Sequence, residues 1–257
     1  LVVMPADHII HGKTQFHTAL EQAVSLAEKN DLVTFGIKPT HPATGYGYIL
    51  SGEALTENAH RIEQFAEKPT EELAKKYVDS GQYYWNSGMF VFKASVYLEE
   101  LNTAASDIYE ASKAIFAHKR SSDCFYYFRE ADFNACRSES IDYAVMEQTK
   151  RAAVVPLDVG WNDIGSWESL YDLAKKDTQG NVIQGDVVTE KTTDSFLKST
   201  HRLLTTVGMA RCIVIETPDA VLVANRDNAE DIKKLVLTLK NTARKETRET
   251  LHNAYDW

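Results

Sequence analysis

Two short apolar runs separated by one amphipathic stretch set the first constraint on this chain. Leu1-Val2-Val3-Met4-Pro5 and Leu32-Val33-Thr34-Phe35-Gly36-Ile37 are too short for helices and rich in β-branched residues, as expected of strands buried on both faces of a parallel sheet. Between them Phe16, Ala19, Leu20, Ala23, Leu26 and Ala27 recur at three- and four-residue spacing, which predicts an amphipathic helix closed by Asn30-Asp31. The order β-α-β predicts parallel pairing through a crossover connection, and hence an α/β sheet. Asp7 falls at the carboxyl end of the first run. Ligands bind along that edge in open α/β sheets, where a lone acid commonly holds a metal or a ribose.

Lys38–Ile49 carries Pro39, Pro42, Gly45 and Gly47 and reads as a loop entering a strand. Gly45 and Gly47, either side of Tyr46, allow close backbone approach to a ligand; a plain surface turn is the alternative. Arg61–Phe65 alternates as a strand and runs into Glu67-Lys68-Pro69. Neighbours along a strand face opposite sides, so no simple ion pair is expected there unless the strand twists as it ends. Thr70, with Glu71 and Glu72 behind it, predicts a capped helix that Gly81 terminates.

Tyr83-Tyr84-Trp85 leads into Asn86-Ser87-Gly88, read as a polar turn, and then into a strand through Phe92. Rings beside an amide suit a sugar site, and suit aromatic core packing equally well. Helical sequence is expected across 94–149, with Phe125–Phe128 in the core and Ser140 preceding a helix over 141–146. Ala152–Leu157 reads as a further buried strand. The segment Asp158–Trp167 holds two Gly, two Trp and two Asp, and sets Asp163 just before a helix starting at Trp167, where capping alone would account for it. From Asp177 onward, short alternating runs predict a separate β module of irregular β-helix type. It is closed by a cap at Asp227, with Glu230 three residues on, and by a helix bearing Ile232, Leu235, Val236 and Leu239. The resulting division is 1–176 and 177–257.

Composition narrows the function classes. With 28 Lys and Arg against 37 Asp and Glu, the net charge of −9 argues against a nucleic-acid surface or an anionic membrane as partner. Cys124, Cys136 and Cys212 are scattered, supporting neither a disulfide framework nor a zinc site and fitting a cytoplasmic setting. No apolar run is long enough for a membrane span, and the first residues lack the basic region of a signal peptide. Because the chain begins with Leu, it is expected to be an excerpt of a longer polypeptide.

In family order, the chain contains Met4-Pro5-Ala6-Asp7-His8, Thr40-His41-Pro42 with Thr44-Gly45-Tyr46-Gly47-Tyr48-Ile49, Glu67-Lys68-Pro69, Trp85-Asn86-Ser87-Gly88-Met89-Phe90, Ser140-Ile141-Asp142-Tyr143, Trp161-Asn162-Asp163-Ile164-Gly165-Ser166-Trp167 and Thr217-Pro218-Asp219-Ala220-Val221. This ordered set resembles the bacterial mannose-1-phosphate guanylyltransferases, part of the sugar-nucleotide pyrophosphorylase superfamily. The resemblance implies a Rossmann-like mixed α/β sheet of the nucleotide-diphospho-sugar transferase type, followed by a small β-helix-like module and a terminal helix. The family's Gly-rich loop with its Arg, and the Lys after it, would lie upstream of Leu1. The isomerase domain fused in some relatives is absent from this stretch.

The family reaction is attack of a sugar 1-phosphate oxygen on the α-phosphorus of GTP, giving GDP-mannose and pyrophosphate. A phosphate monoester is largely dianionic at neutral pH, so its oxygen needs no dedicated base, and catalysis reduces to alignment and charge neutralisation. The resemblance assigns Asp7 and Asp163 to Mg²⁺, whose hard character suits carboxylate oxygens. It assigns Lys68 to the sugar phosphate and Glu67 to two ring hydroxyls. Asn86, with Ser87 and Gly88, and the Gly45-Tyr46-Gly47 backbone complete the mannose 1-phosphate site. Trp161 and Asn162 join by sequence proximity, whereas Asp142 and His8 are read as structural.

Three rivals stay open: a transferase for another hexose 1-phosphate, a nucleotide-sugar glycosyltransferase, and a non-catalytic sugar-nucleotide-binding subunit. The glycosyltransferase would be expected to show an Asp-x-Asp pair, and Pro5-Ala6-Asp7 has one acid. The β module and final helix are expected to pack on the main domain or on a second subunit, as in a homodimer.

Overall fold

The structure, a computed structural model, describes residues 1–122 and 125–247; Cys124 and the end of the charged tail lie outside the described residues. The chain divides into two units, Leu1–Trp161 and Asn162–Trp257.

In the first unit the elements run β1 (Val2–Val3), α1 (Lys13–Ala27), β2 (Leu32–Ile37), β3 (Tyr48–Thr56), β4 (Ala59–Ala66), α2 (Glu71–Ser80), β5 (Tyr83–Val91), α3 (Ala94–Ala104), α4 (Ser106–Ala117), β6 (Arg120–Ser122), β7 (Phe125–Tyr127), α5 (Glu130–Ala135), a π-helix (Asp142–Met146) and β8 (Ala152–Leu157). A six-stranded mixed sheet has the order β1-β5-β2-β8-β4-β3, and β3 also pairs with β5. Within it only the paired strands β2 and β8 run parallel; β5 runs against β1, β2 and β3.

Strand β2 is buried along its whole length, as its apolar run predicts. Because successive side chains face opposite ways, Val33, Phe35 and Ile37 join α1 in one core. Leu32 joins α3 and the π-helix in another.

The opening strand differs from expectation. It pairs antiparallel with β5, and Val2 and Val3 are 46% and 43% exposed. The β-α-β pattern does set β1 and β2 in the same direction, but β5 is inserted between them from later in the chain. Among the described residues β1 pairs with β5 alone.

Three local expectations also change. Phe125, Tyr126 and Tyr127 form β7, paired only with β6, and are 66%, 59% and 57% exposed. An isolated two-stranded hairpin has no second layer to bury its aromatic side chains. Thr70 has the extended backbone of a cap, yet its side chain makes no capping hydrogen bond; Gly81 does end α2 in the left-handed conformation. Asn86-Ser87-Gly88 is not a turn between elements but lies inside β5.

The second unit opens with α6 (Trp167–Leu173) and continues through β9 (Val182–Gln184), β10 (Val187–Glu190), β11 (Phe196–Ser199), β12 (Leu204–Val207), β13 (Cys212–Glu216), β14 (Val221–Asn225), a 3-10 segment (Arg226–Asp231) and α7 (Ile232–Asn241). Parallel ladders β9-β11-β13 and β10-β12 make it β-helix-like, as expected. The cap of α6 is Ser166, whose hydroxyl accepts from Ser169 N. Asp163 does not take that role: its Oδ1 accepts from Gly165 N at 3.1 Å. Asp227, expected to cap the last helix, lies in the 3-10 segment, and the residue at the cap position of α7 is Asp231; the Glu230 side chain lies outside the described residues. Arg226 ties α6 to the coil, donating to Glu168 Oε2 at 2.8 Å and Asp194 O at 2.7 Å while lying 3.4 Å over the Tyr171 ring.

Glu216, buried at the end of β13, holds one coil of this unit. Its Oε2 accepts from the backbone N–H groups of Thr200, His201 and Arg202 at 3.2, 2.9 and 3.1 Å. Burial pushes its pKa up, but these donors and the Ser199 hydroxyl outweigh burial and hold the carboxyl below its ordinary value. Such a group stabilises the fold fully above its unfolded pKa of about 4.3, and the stabilisation is lost as pH falls through the folded pKa. Glu216→Gln is therefore expected to flatten the acid side of the stability curve. Thermal melts of both proteins between about pH 6 and pH 3 check this; an unchanged acid slope would contradict it.

Candidate active site

The carboxyl end of β4, the amino end of β3 and the middle of β5 come together in the first unit. Asn86 N donates to Gly47 O at 2.8 Å, and a Cβ built on Gly47 would stand 2.3 Å from Glu67 Oε2. A side chain at position 47 would thus push the Glu67 carboxylate aside. Gly45 is different: a Cβ there meets nothing within 4 Å.

Glu67 and Lys68 do form an ion pair, Nζ to Oε1 at 3.4 Å. The strand stops at Ala66 and Lys68 adopts φ of 45°, so strand alternation no longer separates the two side chains. Lys68 is 59% exposed and the Glu67 side chain only 10%. Glu67 Oε2 is buried without a hydrogen-bond partner, a condition that a ligand hydroxyl would relieve. Burial pushes the Glu67 pKa up, the nearby Asp142 carboxylate pushes it further, and Lys68 pulls it back.

Asn86 is held by a buried network. Its Oδ1 accepts from Thr34 Oγ1 at 2.8 Å and Gly88 N at 3.3 Å. Its Nδ2 donates to Asp142 Oδ1 at 2.9 Å. Burial raises the Asp142 pKa, opposed by hydrogen bonds from Ser140 and Asn86. The buried Ser87 accepts from Met89 N at 3.3 Å, and Gly88 has φ of 70°; both shape the strand that carries Asn86.

Aromatic rings run beside this group. Tyr46 meets Trp85 and Trp161 edge-on at 5.0 and 5.5 Å, and His8 meets Trp161 at 5.3 Å. His8 Nδ1 lies 3.2 Å from Trp161 Nε1, which donates to it. Asp7 is exposed. In the second unit Asn162 Oδ1 accepts from Ile164 N at 2.7 Å, and Asp163 forms the turn with Gly165 described above.

Glu67, Lys68, Gly47 and Asn86 are therefore adjacent. Asp142, which the sequence presents as structural, belongs to the same group, as does Thr34. The signal for Asp142 was present in Ser140-Ile141-Asp142-Tyr143, whereas Thr34 in an apolar strand gives none.

A nucleotidyl transferase family model matches residues 1–180, and the chain belongs to that family. A MannoseP isomerase/GMP-like beta-helix domain model matches residues 185–239. The mannose-1-phosphate guanylyltransferase of Salmonella montevideo is 48% identical, the match covering 93% of this chain and 52% of the relative. That of Escherichia coli (strain K12) is 45% identical over 96% of this chain and 53% of the relative. The chain thus spans about half the length of these curated relatives. Among solved structures, one described as a mannose-1-phosphate geranyltransferase from Thermus thermophilus superposes with a TM-score of 0.78 at 30% identity, covering 93% of this chain and 69% of that one.

The electrostatics can be checked directly. By carboxyl ¹³C NMR, Glu67 is expected to titrate above the ordinary glutamate value of about 4.3, to move higher in Lys68→Met and lower in Asp142→Asn. A midpoint that neither substitution moves would contradict the arrangement.

Proposed function

We propose that the complete polypeptide carrying this chain transfers the guanylyl group of GTP to mannose 1-phosphate, forming GDP-mannose and pyrophosphate. The observation that carries this reading is the buried, unpartnered Oε2 of Glu67 beside the exposed Lys68 ammonium, in a chain whose relatives bear that enzyme's name. A carboxylate that accepts from ring hydroxyls next to a cation that meets a phosphate is the polarity a sugar phosphate needs. Asn86 and the Gly47 backbone complete the pocket, Gly45 and Tyr46 border it, and the Trp161 ring lies beyond Tyr46. Asn162 is retained as a substrate contact in the second unit.

One phosphate oxygen of mannose 1-phosphate forms the new bond to the α-phosphorus of GTP while the bond to the bridging oxygen breaks and pyrophosphate leaves. Lys68 neutralises the sugar phosphate, which lowers the repulsion between two anions as they approach. Glu67 and Asn86 fix the sugar so that this oxygen is in line.

Asp7 and Asp163 are proposed as the Mg²⁺ ligands. Among the described residues no three His, Cys, Asp or Glu side chains gather into a metal-holding group. A pair of carboxylates fits Mg²⁺, which takes one or two carboxylates and completes its shell with water and substrate phosphates. When bound, the ion supplies charge neutralisation at the phosphates.

We place the reaction in the cytoplasm, supported by the unpaired Cys136 and Cys212. No helix among the described residues is long and apolar enough to cross a membrane. A role in polysaccharide biosynthesis, and assembly as a homodimer, belong to the same proposal.

The test is pyrophosphate release by the complete polypeptide with GTP and mannose 1-phosphate, compared with glucose 1-phosphate and with UTP. The mannose and GTP pair is expected to be preferred. Lys68→Met is expected to lower kcat/KM about 10²-fold without lowering Tm. Asp7→Ala and Asp163→Ala are expected to lower turnover and to demand more Mg²⁺. Equal rates with every pair, or near-normal turnover in all three variants, would contradict the reading.

A further inference from the structure

Asn86 and Asp142 meet where two departures from regular backbone face each other. On β5 the three residues Ser87, Gly88 and Met89 stand opposite Phe35 alone, because Thr34 pairs with Phe90 and Gly36 with Asn86. Such bulges re-aim a side chain and recur beside active sites. Asp142, for its part, opens the π-helix, in which Glu147 N donates to Asp142 O at 3.0 Å. π-turns are rare and are frequent at functional sites.

The hydrogen bonds admit one orientation of the Asn86 carboxamide. Turned over, it would set its oxygen against the Asp142 carboxylate and its NH₂ against the Gly88 N–H. In the orientation present, Oδ1 takes both donors and Nδ2 gives one hydrogen to Asp142. Among the described residues that nitrogen makes no second hydrogen bond, so one N–H is left for a ligand.

We infer that Asp142 is a positioning residue: by accepting from Asn86 Nδ2 it fixes the carboxamide so that the remaining N–H is offered to a hydroxyl of the sugar phosphate. The inference rests on the reading of this pocket as a hexose 1-phosphate site. Asp142 itself does not touch substrate, and its removal acts through Asn86. The Thr34 hydroxyl supports the same orientation from the opposite side.

The test is a double-mutant cycle in the complete polypeptide, reading KM for mannose 1-phosphate and for GTP, kcat and Tm. Asp142→Ala is expected to raise KM for mannose 1-phosphate about tenfold, the order of one lost hydrogen bond, with KM for GTP unchanged. In an Asn86→Ala background the same substitution is expected to add less than about twofold. Asp142→Asn, whose amide oxygen still accepts from Nδ2, is expected to stay within about threefold of the wild type. It also serves as the readout should Asp142→Ala fail to fold.

Additive effects of the two alanine substitutions, or a rise in both KM values alike, would overturn the inference. So would a loss in Asp142→Asn as large as that from removing Asn86, at unchanged Tm. A wild type that does not turn over mannose 1-phosphate would instead defeat the reading of the site, and the inference with it. Active wild-type enzyme with additive variants defeats the positioning role alone.

Discussion

Strand β2 is buried from Leu32 to Ile37, so every polar group in it must find its partner inside the protein. Thr34 is its one hydroxyl, and its single hydrogen has two acceptors within reach, Asn86 Oδ1 at 2.8 Å and Met89 O at 2.9 Å. The centre of the fold is thereby linked to the edge of the pocket. Satisfying a buried hydroxyl and holding the Asn86 amide are one hydrogen-bond network, which extends through Asp142 into the layer formed by the π-helix.

Three backbone irregularities of the first unit lie around that network. The bulge in β5, the left-handed Lys68 and the π-helix at Asp142 each depart from a regular strand or helix. Conformations of this kind persist only where surrounding structure over-determines them. Here the surroundings are the sheet closing from β5 through β2, β8, β4 and β3 back to β5, which fixes Gly47, Glu67 and Asn86 on neighbouring strands. Two buried polar atoms within this frame have no hydrogen-bond partner among the described residues, Glu67 Oε2 and Trp85 Nε1, and the first belongs to the carboxylate that is paired with Lys68.

Much of this was legible in the chain. The period of Phe16 to Ala27, the apolar run of β2 and the left-handed Gly81 at the end of α2 follow from local side-chain chemistry, and the structure repeats them. What was not legible depended on partners distant in sequence. Which strand inserts between β1 and β2 is decided by β5, drawn from far along the chain, so an apolar run correctly read as a strand was misplaced in the sheet. Asn86-Ser87-Gly88 has the composition of a turn, because a bulge and a turn need the same small polar residue and the same positive-φ glycine. Asp142 at a helix start resembles a cap, and its partner Asn86 is 56 residues away. The Glu67 and Lys68 pair was obscured by a strand that ends at Ala66 rather than continuing through them.

In the proposed reading the sugar phosphate binds at Glu67, Lys68 and Asn86. A crystal structure of the complete polypeptide with mannose 1-phosphate tests it most directly. The phosphate is expected against Lys68 Nζ, ring hydroxyls donating to Glu67, and Asn86 Nδ2 donating to the sugar while keeping its bond to Asp142. A sugar phosphate seated away from Glu67 and Asn86, with Glu67 Oε2 still buried and unpartnered, would contradict it.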